Sequence, residues 1–259
     1  MKLIALTIGF LLSVSSFANL QVFPTKIELS TRAKAATVTL RNKGSEKTTY
    51  KVSAVFYRQD YMGRMVRVDS PKEEERSIIN NLRFSPRRVV LAPGQEQVVR
   101  FMVRKTAKLE SGDYRAHIRF EPIKKEVDNA SGRDNFVMMK VDARVAINVP
   151  VIYSKGRSKS KISLEKFHMS DSKEGQLYSV VMKKEGPVFP FGTFKVFKVN
   201  NEKEELVSLV NGVSSYVDER LFSFQFTKPK DPEGKYEIRF YKNEYSRQAL
   251  AVDQFVWKK

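Results

Sequence analysis

The chain has 259 residues, no cysteine and a formal net charge of +18 at pH 7. Without cysteine it has no disulfide bond, no thiolate-based zinc site and no cysteine nucleophile, so its stability must come from hydrophobic cores. The positive charge is spread along the whole chain, which favours a well-solvated surface over a single polyanion-binding tract.

The N-terminus has the pattern of a secretory signal peptide. Lys2 precedes an apolar run over Leu3–Val14, and Ser16 and Ala18 place small residues where a signal peptidase reads. We therefore predict a signal peptide over 1–18 and an exported protein. No later run approaches the roughly 20 apolar residues of a membrane span, so we expect no membrane insertion. Export also disfavours a nucleic-acid partner.

Alternation of apolar and polar residues predicts about seven strands in the first half of the chain. The segments are Gln21–Leu29, Thr37–Leu40, Thr49–Tyr57, Arg88–Leu91, Gln97–Val103, Tyr114–Phe120 and Lys140–Tyr153. Pro24 in the first segment is compatible only with an edge strand or a bulge. A short helical turn is predicted within Ser70–Ile79 and a loop over Lys124–Asn135. This spacing is typical of a β-sandwich with Greek-key connections.

The second half repeats this pattern after a polar, basic linker. Its predicted strands are Ile162–Phe167, Leu177–Met182, Thr193–Val199, Glu205–Val210, Leu221–Phe226, Lys235–Tyr241 and Leu250–Trp257. We therefore predict an all-β protein with a first domain over 19–154, a linker over 155–161 and a second β-sandwich over 162–259.

Residues that could carry catalysis are scarce. His117 lies between two arginines and His168 follows an apolar residue near a turn, and both are interpreted as surface histidines without convergent partners. The run Glu73–Glu75 is interpreted as a solvated loop. With no nucleophile, metal or phosphate-loop motif, we expect neither an enzyme nor a bound cofactor or metal.

The segment Lys140–Tyr153 has the clearest alternation in the chain. Its odd positions from Val141 to Val151 are all apolar, whereas its even positions are largely polar. Such a strand can face its own core, which periodicity alone favours. The alternative is an edge strand that is lent to another protein by β-augmentation.

Four segments together resemble a known family. They are Val22–Leu29, Phe84–Arg100, Gly112–Phe120 and Val145–Tyr153. These segments are similar to the first strand, the central segment and the last two strands of the first domain in periplasmic chaperones of the chaperone–usher pilus pathway, especially the archaic-type branch. The similarity covers nearly all of the first predicted domain and is weaker in the second.

The resemblance implies two immunoglobulin-like β-sandwich domains in a boomerang arrangement with a cleft between them. It implies a periplasmic, non-enzymatic chaperone that caps an incomplete pilus or fimbrial subunit with its own strand and delivers it to an outer-membrane usher. The residues that would enter the subunit are Ala143, Val145, Ile147 and Val149. Without a client, the exposed strand could pair with a second copy of the chain.

The family also anchors the subunit's terminal carboxylate with two basic cleft residues. Lys26 falls at the first of these positions, whereas Pro150 occupies the second and cannot bind a carboxylate. The resemblance leaves the second base open among Arg115, Arg88 and Arg144, and also allows another mode of anchoring or a client that is not a pilin. The alternative function is an exported β-sandwich that binds an acidic envelope component.

Overall fold

The computed structural model describes residues 19–123, 145–172, 175–200, 203–227 and 232–258. The strands of the first half are β1 (Leu20–Phe23), β2 (Ile27–Ser30), β3 (Ala35–Asn42), β4 (Thr48–Gln59), β5 (Met65–Val68), β6 (Leu82–Ser85), β7 (Arg88–Leu91), β8 (Glu96–Val103), β9 (Gly112–Pro122) and β10 (Ile147–Lys155). Two short 3₁₀ turns interrupt them. Glu73–Glu75 falls within the segment Ser70–Ile79 for which a helical turn was predicted, whereas Ile79–Asn81 was not predicted. The predicted signal peptide and the predicted loop Lys124–Asn135 lie outside the described residues.

The strands of the second half are β11 (Lys161–Ser172), β12 (Gly175–Glu185), β13 (Phe191–Asn200), β14 (Lys203–Ser214), β15 (Glu219–Phe226), β16 (Gly234–Tyr241) and β17 (Ala249–Trp257). Each of the seven strands predicted there falls on one of these elements. The polar segment before β11 carries a turn rather than a strand over 156–160.

The first half is a two-layer β-sandwich. One sheet has the order β1-β3-β8-β6, and it faces a sheet of order β2-β10-β9-β4-β5, with β7 also paired to β4. Alternate residues of both sheets, among them Val38, Phe101 and Ile118, pack into one buried core. Strands β1, β3, β8 and β6 thus oppose β4, β9 and β10, which is the four-against-three arrangement of an immunoglobulin domain.

The predicted first strand is wrong at its centre. The chain leaves one sheet at Phe23 and joins the other at Ile27, so Gln21–Leu29 contributes two short strands rather than one. The break falls at Pro24, whose nitrogen has no hydrogen to donate to a ladder. The proline prediction of an edge or irregular position was therefore correct, but the continuous strand was not.

The second half forms a separate sandwich with its own core. A sheet of order β11-β12-β15 faces a sheet of order β14-β13-β16-β17. Aromatic side chains fill much of the space between them, including Tyr178, Phe194, Tyr236 and Phe240. The predicted fold class, all-β with two immunoglobulin-like sandwiches, is confirmed by this topology. Within the described residues, no helix has the length and apolar character needed to cross a bilayer.

Candidate functional site

The edge of the second sheet at β10 is only partly covered. On one side β10 pairs with β9 along its whole length, from Ile147 to Lys155. On the other side the parallel strand β2 pairs only with Val151–Ser154. The first part of the strand, Ile147–Pro150, is therefore a sheet edge that β2 does not reach.

The backbone N–H and C=O groups of Asn148 point away from β9, toward the open side of this edge. The Ser154 carbonyl accepts a hydrogen bond from the Thr31 N–H, on the β2 side, at 3.3 Å. Backbone groups alternate in direction along a strand, so the other even-numbered residues of β10 also face that side. Pro150 is among them, and a proline is tolerated on an edge that faces away from the ladder.

The apolar residues predicted to enter the client differ in their exposure. Val149 is 1% exposed and belongs to the core of its own sandwich, and Ile147 is partly buried against the same core. Val145 precedes the strand and is 77% exposed. Ala143 lies outside the described residues. The predicted strand Lys140–Tyr153 is thus wrong at Val145 and Ala146, which are not in β10, and too short at its other end.

Lys26 lies where the covered part of the edge begins. It directly precedes Ile27, the first residue of β2, which pairs with Val151. Its side chain is 22% exposed, and its Nζ lies 2.5 Å from Glu28 Oε1. The ammonium also lies 3.6 Å from the ring centroid of Phe191 in the second sandwich. Lys26 is therefore a partly accessible cation between the two halves, next to the open edge.

Arg115 is not accessible in the same way. It is 2% exposed, its Nη1 donates to the Tyr57 carbonyl, and its guanidinium lies 4.1 Å from the Phe56 ring and 4.7 Å from the Tyr216 ring. Burial lowers its pKa to about 10, so it stays cationic at neutral pH. Arg115, one of the three residues considered for the second base, is therefore not accessible to a client carboxylate in this arrangement.

The other two candidates for the second base do not complete the site either. Arg88 lies on β7, which pairs with β4 on the far side of the sheet from β10. Arg144 lies outside the described residues. Lys26 is thus the one predicted anchor residue that the described part of the chain places beside the open edge.

His117 is a buried residue, so the prediction of a surface histidine is wrong. It is 7% exposed, and its ring meets those of Tyr57 and Tyr216 edge-on at centroid distances of 5.2 and 6.4 Å. Burial, reinforced by the neighbouring Arg115, lowers its pKa to about 4. His168 is exposed, as predicted. No group of three or more metal-ligating side chains occurs among the described residues.

Asp113 joins the two sandwiches, a role that the sequence analysis did not predict. Its N–H donates to the Pro187 carbonyl at 2.8 Å, and its Oδ2 accepts from the Phe189 N–H at 2.9 Å. Its Oδ1 accepts from the Oγ of Ser154, the penultimate residue of β10, at 2.6 Å. One buried carboxylate thus connects β9, β10 and the second sandwich.

A second set of bonds joins the halves near the end of β4. Gln59 Oε1 accepts from the Tyr216 N–H, and the Tyr61 carbonyl accepts from the Leu221 N–H, both at 2.8 Å. The only sequence signal for these contacts is the presence of polar residues at the ends of strands. These two sets of hydrogen bonds hold the halves together, and the contact between Lys26 and Phe191 is a further link between them.

Comparison with known proteins gives structural matches only. No family model matches the chain, and no curated protein matches it. The chain is similar to a chain of the chaperone–tip adhesin complex of CFA/I fimbriae biogenesis, with 13% identity, coverage of 92% of this chain and 98% of the other, and a TM-score of 0.48. It is also similar to the YadV chaperone, with 11% identity, 92% and 100% coverage and a TM-score of 0.48.

A third match is a chain of the CsuC–CsuE chaperone–tip adhesion subunit pre-assembly complex from the archaic chaperone–usher Csu pili of Acinetobacter baumannii. It has 11% identity, 92% coverage of this chain and 97% of the other, and a TM-score of 0.46.

Proposed function

We propose that this protein is a periplasmic chaperone that binds an incomplete pilus-type subunit by lending it a strand, and that it delivers the subunit to an outer-membrane usher. The observation that carries the proposal is the open edge Ile147–Pro150. A strand with one free side can add to the sheet of another protein, with backbone hydrogen bonds giving affinity and alternate side chains giving specificity.

The client-facing part of the donor strand is the segment that leads into β10. Val145 is exposed and Ile147 lies at the rim of the core, whereas Val149 holds the strand on its own sandwich. We therefore propose Val145 and Ile147 as side chains that enter the client, together with Ala143 in the part of the chain outside the described residues. Full burial of one such aliphatic side chain contributes about 1.5–3 kcal/mol.

We propose Lys26 as the anchor for the client's terminal carboxylate. A client strand that pairs with the open edge beside Asn148 and runs toward β2 must stop where β2 begins, at Ile27. Its C-terminal carboxylate would then lie next to Lys26, the residue that precedes Ile27. The partner already at that ammonium, Glu28, is exposed, so a client carboxylate could replace it at little cost. A lysine gives a single point charge without the two-pronged geometry of an arginine.

The proposal is tested by co-purification from the periplasm after co-expression with exported pilus-type subunits encoded beside the gene. The tagged protein should recover a subunit, and Val145→Asp should abolish recovery because it places a charge in an apolar groove. The matched control is Val98→Asp, which changes another exposed valine on the opposite sheet. Equal recovery by the parent and by a folded Val145→Asp variant would contradict the proposal.

A further inference from the structure

A second gap lies on the opposite edge of the same sheet. Strand β7 pairs with β4 over Thr48–Lys51, and β5 pairs with β4 over Phe56–Gln59. Between them, Ser53–Val55 is covered by neither strand. At about 3.3 Å per residue the gap is roughly 10 Å long, which is room for about three residues of extended chain.

The backbone in this gap offers a donor and an acceptor. The Val52 N–H donates to the Arg87 carbonyl at 2.9 Å, so the even-numbered residues of β4 direct their backbone groups away from β9. The N–H and C=O of Ala54 therefore face the gap. Neither group has a backbone partner in the described part of the chain.

The gap opens into a groove of about 840 Å³ with cationic walls. Its charged lining residues are Lys51, Arg83, Arg87 and Arg88. Lys51 and Arg88 lie directly opposite each other in the β4–β7 pair, an arrangement of like charges that destabilises a sheet. Among the described residues, no carboxylate forms an ion pair with any of the three arginines.

The floor of the groove is apolar. It includes Ile79, Leu82 and Phe84 beside Ala54, and the guanidinium of Arg87 lies 5.8 Å from the Phe84 ring. We propose that this groove binds an extended acidic segment of a partner protein, with its backbone paired to Ala54, its carboxylates on the arginines and its apolar side chains on the floor. The site is independent of the proposed client edge, from which β9 separates it.

A peptide fits these features better than a compact anion does. A phosphate or sulfate would use the arginines but neither the backbone groups of Ala54 nor the apolar floor. A strand with alternating acidic and apolar residues uses all three, since alternate side chains of a strand point to opposite faces. Clustered arginines that lack carboxylate partners suit carboxylates, which they bind through paired hydrogen bonds.

The proposal is tested with a fluorescein-labelled ten-residue peptide of alternating glutamate and valine, by fluorescence anisotropy on the purified protein at low salt. The test variant is Arg87→Glu with Arg88→Glu. It should retain its fold, because both side chains are exposed and Arg88→Glu places a carboxylate opposite Lys51. Peptide affinity should fall at least tenfold.

The matched control is Arg157→Glu with Lys159→Glu, which changes the net charge equally at exposed positions away from the groove. It should lower affinity less than twofold. Equal losses in the two double variants would overturn the proposal, because binding would then follow net charge alone. Failure of the peptide to bind the parent protein would overturn it as well.

Amide hydrogen exchange separates a peptide from a polyanion. The peptide should slow exchange at the Ala54 N–H at least tenfold, whereas inorganic polyphosphate at saturating concentration should leave this amide unchanged. If polyphosphate binds through Arg87 and Arg88 and the peptide leaves the Ala54 amide unprotected, the groove is a site for a charged polymer, and the proposal fails.

Discussion

His117 shows how a contact between distant parts of the chain determines the protonation state of a residue. The sequence places it between Arg115 and Arg119, which correctly indicates that protonation is opposed. Its burial comes from Tyr216, a residue of the second sandwich about a hundred positions away, and no local pattern announces that contact. The histidine is therefore a neutral part of the contact between the two halves.

We expect His117 to make stability depend on pH. Its pKa is lowered to about 4 in the folded chain, against about 6.5 when unfolded, so the unfolded chain binds a proton first as the pH falls. The stabilisation is full above pH 6.5 and is lost as the pH falls toward 4. The free energy of unfolding should drop by about 2 kcal/mol from pH 7 to pH 5.

Urea denaturation of the parent, His117→Gln and His168→Gln proteins at pH 7 and pH 5 measures this change in the free energy of unfolding. His117→Gln should flatten the dependence between pH 5 and 7. His168→Gln removes the exposed histidine and should leave the dependence as in the parent. A parent-like slope in His117→Gln would contradict the assignment to His117.

The second prediction for a single residue concerns the contribution of Lys26 to client binding. Lys26→Ala should weaken client binding by about 1.5–3 kcal/mol, the range for a hydrogen bond to a charged group, which is roughly 10- to 100-fold in Kd. Lys26→Arg should bind like the parent, because the charge is kept. Lys43→Ala, at an exposed lysine on the far side of the sandwich, is the control. Titration of the purified subunit by calorimetry supplies the constants, and an unchanged Kd in Lys26→Ala would remove Lys26 from the site.

At the scale of elements, the sequence predicts the strands well and their edges poorly. Alternation identified β4, β8 and β9, because side chains on one face of a sandwich strand are buried and those on the other are not. It could not show that β10 is covered by β2 over only part of its length, since pairing depends on where the chain turns at Pro24. Nor could it show which apolar residues of Lys140–Tyr153 face their own core.

Substitutions in and just before β10 distinguish residues that pack in its own core from residues proposed to contact the client. Val149→Asp places a charge in the core and should lower the free energy of unfolding by about 3–5 kcal/mol. Val145→Asp should change stability by less than about 0.5 kcal/mol, because the side chain is exposed. Thermal unfolding followed by circular dichroism compares them. Equal destabilisation would mean that Val145 is also a core residue and would remove it from the proposed donor set.

At the scale of the whole molecule, the relative position of the two sandwiches depends on a few buried polar groups. Asp113 accepts hydrogen bonds from β10 and from the second sandwich at once, and Gln59 holds Tyr216 over Arg115 and His117. Sequence analysis predicted the two domains and the linker, but contacts between residues so far apart in the chain leave no periodic signal.

We expect Asp113→Ala to loosen this arrangement. The Phe189 N–H and Ser154 hydroxyl would lose their acceptor, and each unsatisfied buried donor costs about 1–3 kcal/mol. Small-angle X-ray scattering should show a larger radius of gyration than in the parent. Asp253→Ala, which removes an acceptor for the Phe167 N–H within the second sandwich, should lower stability without this expansion. Identical scattering curves for Asp113→Ala and the parent would contradict the role given to Asp113.

The central claim is that the open edge of β10 pairs with a strand of the client. Amide hydrogen exchange of the purified protein, alone and in a saturated complex with a pilus-type subunit, tests it most directly. The Asn148 N–H faces the open side, so its exchange should slow at least tenfold in the complex, while the Ala54 N–H on the opposite edge should exchange at an unchanged rate. An Asn148 amide that exchanges as fast in the complex as in the free protein would contradict the account.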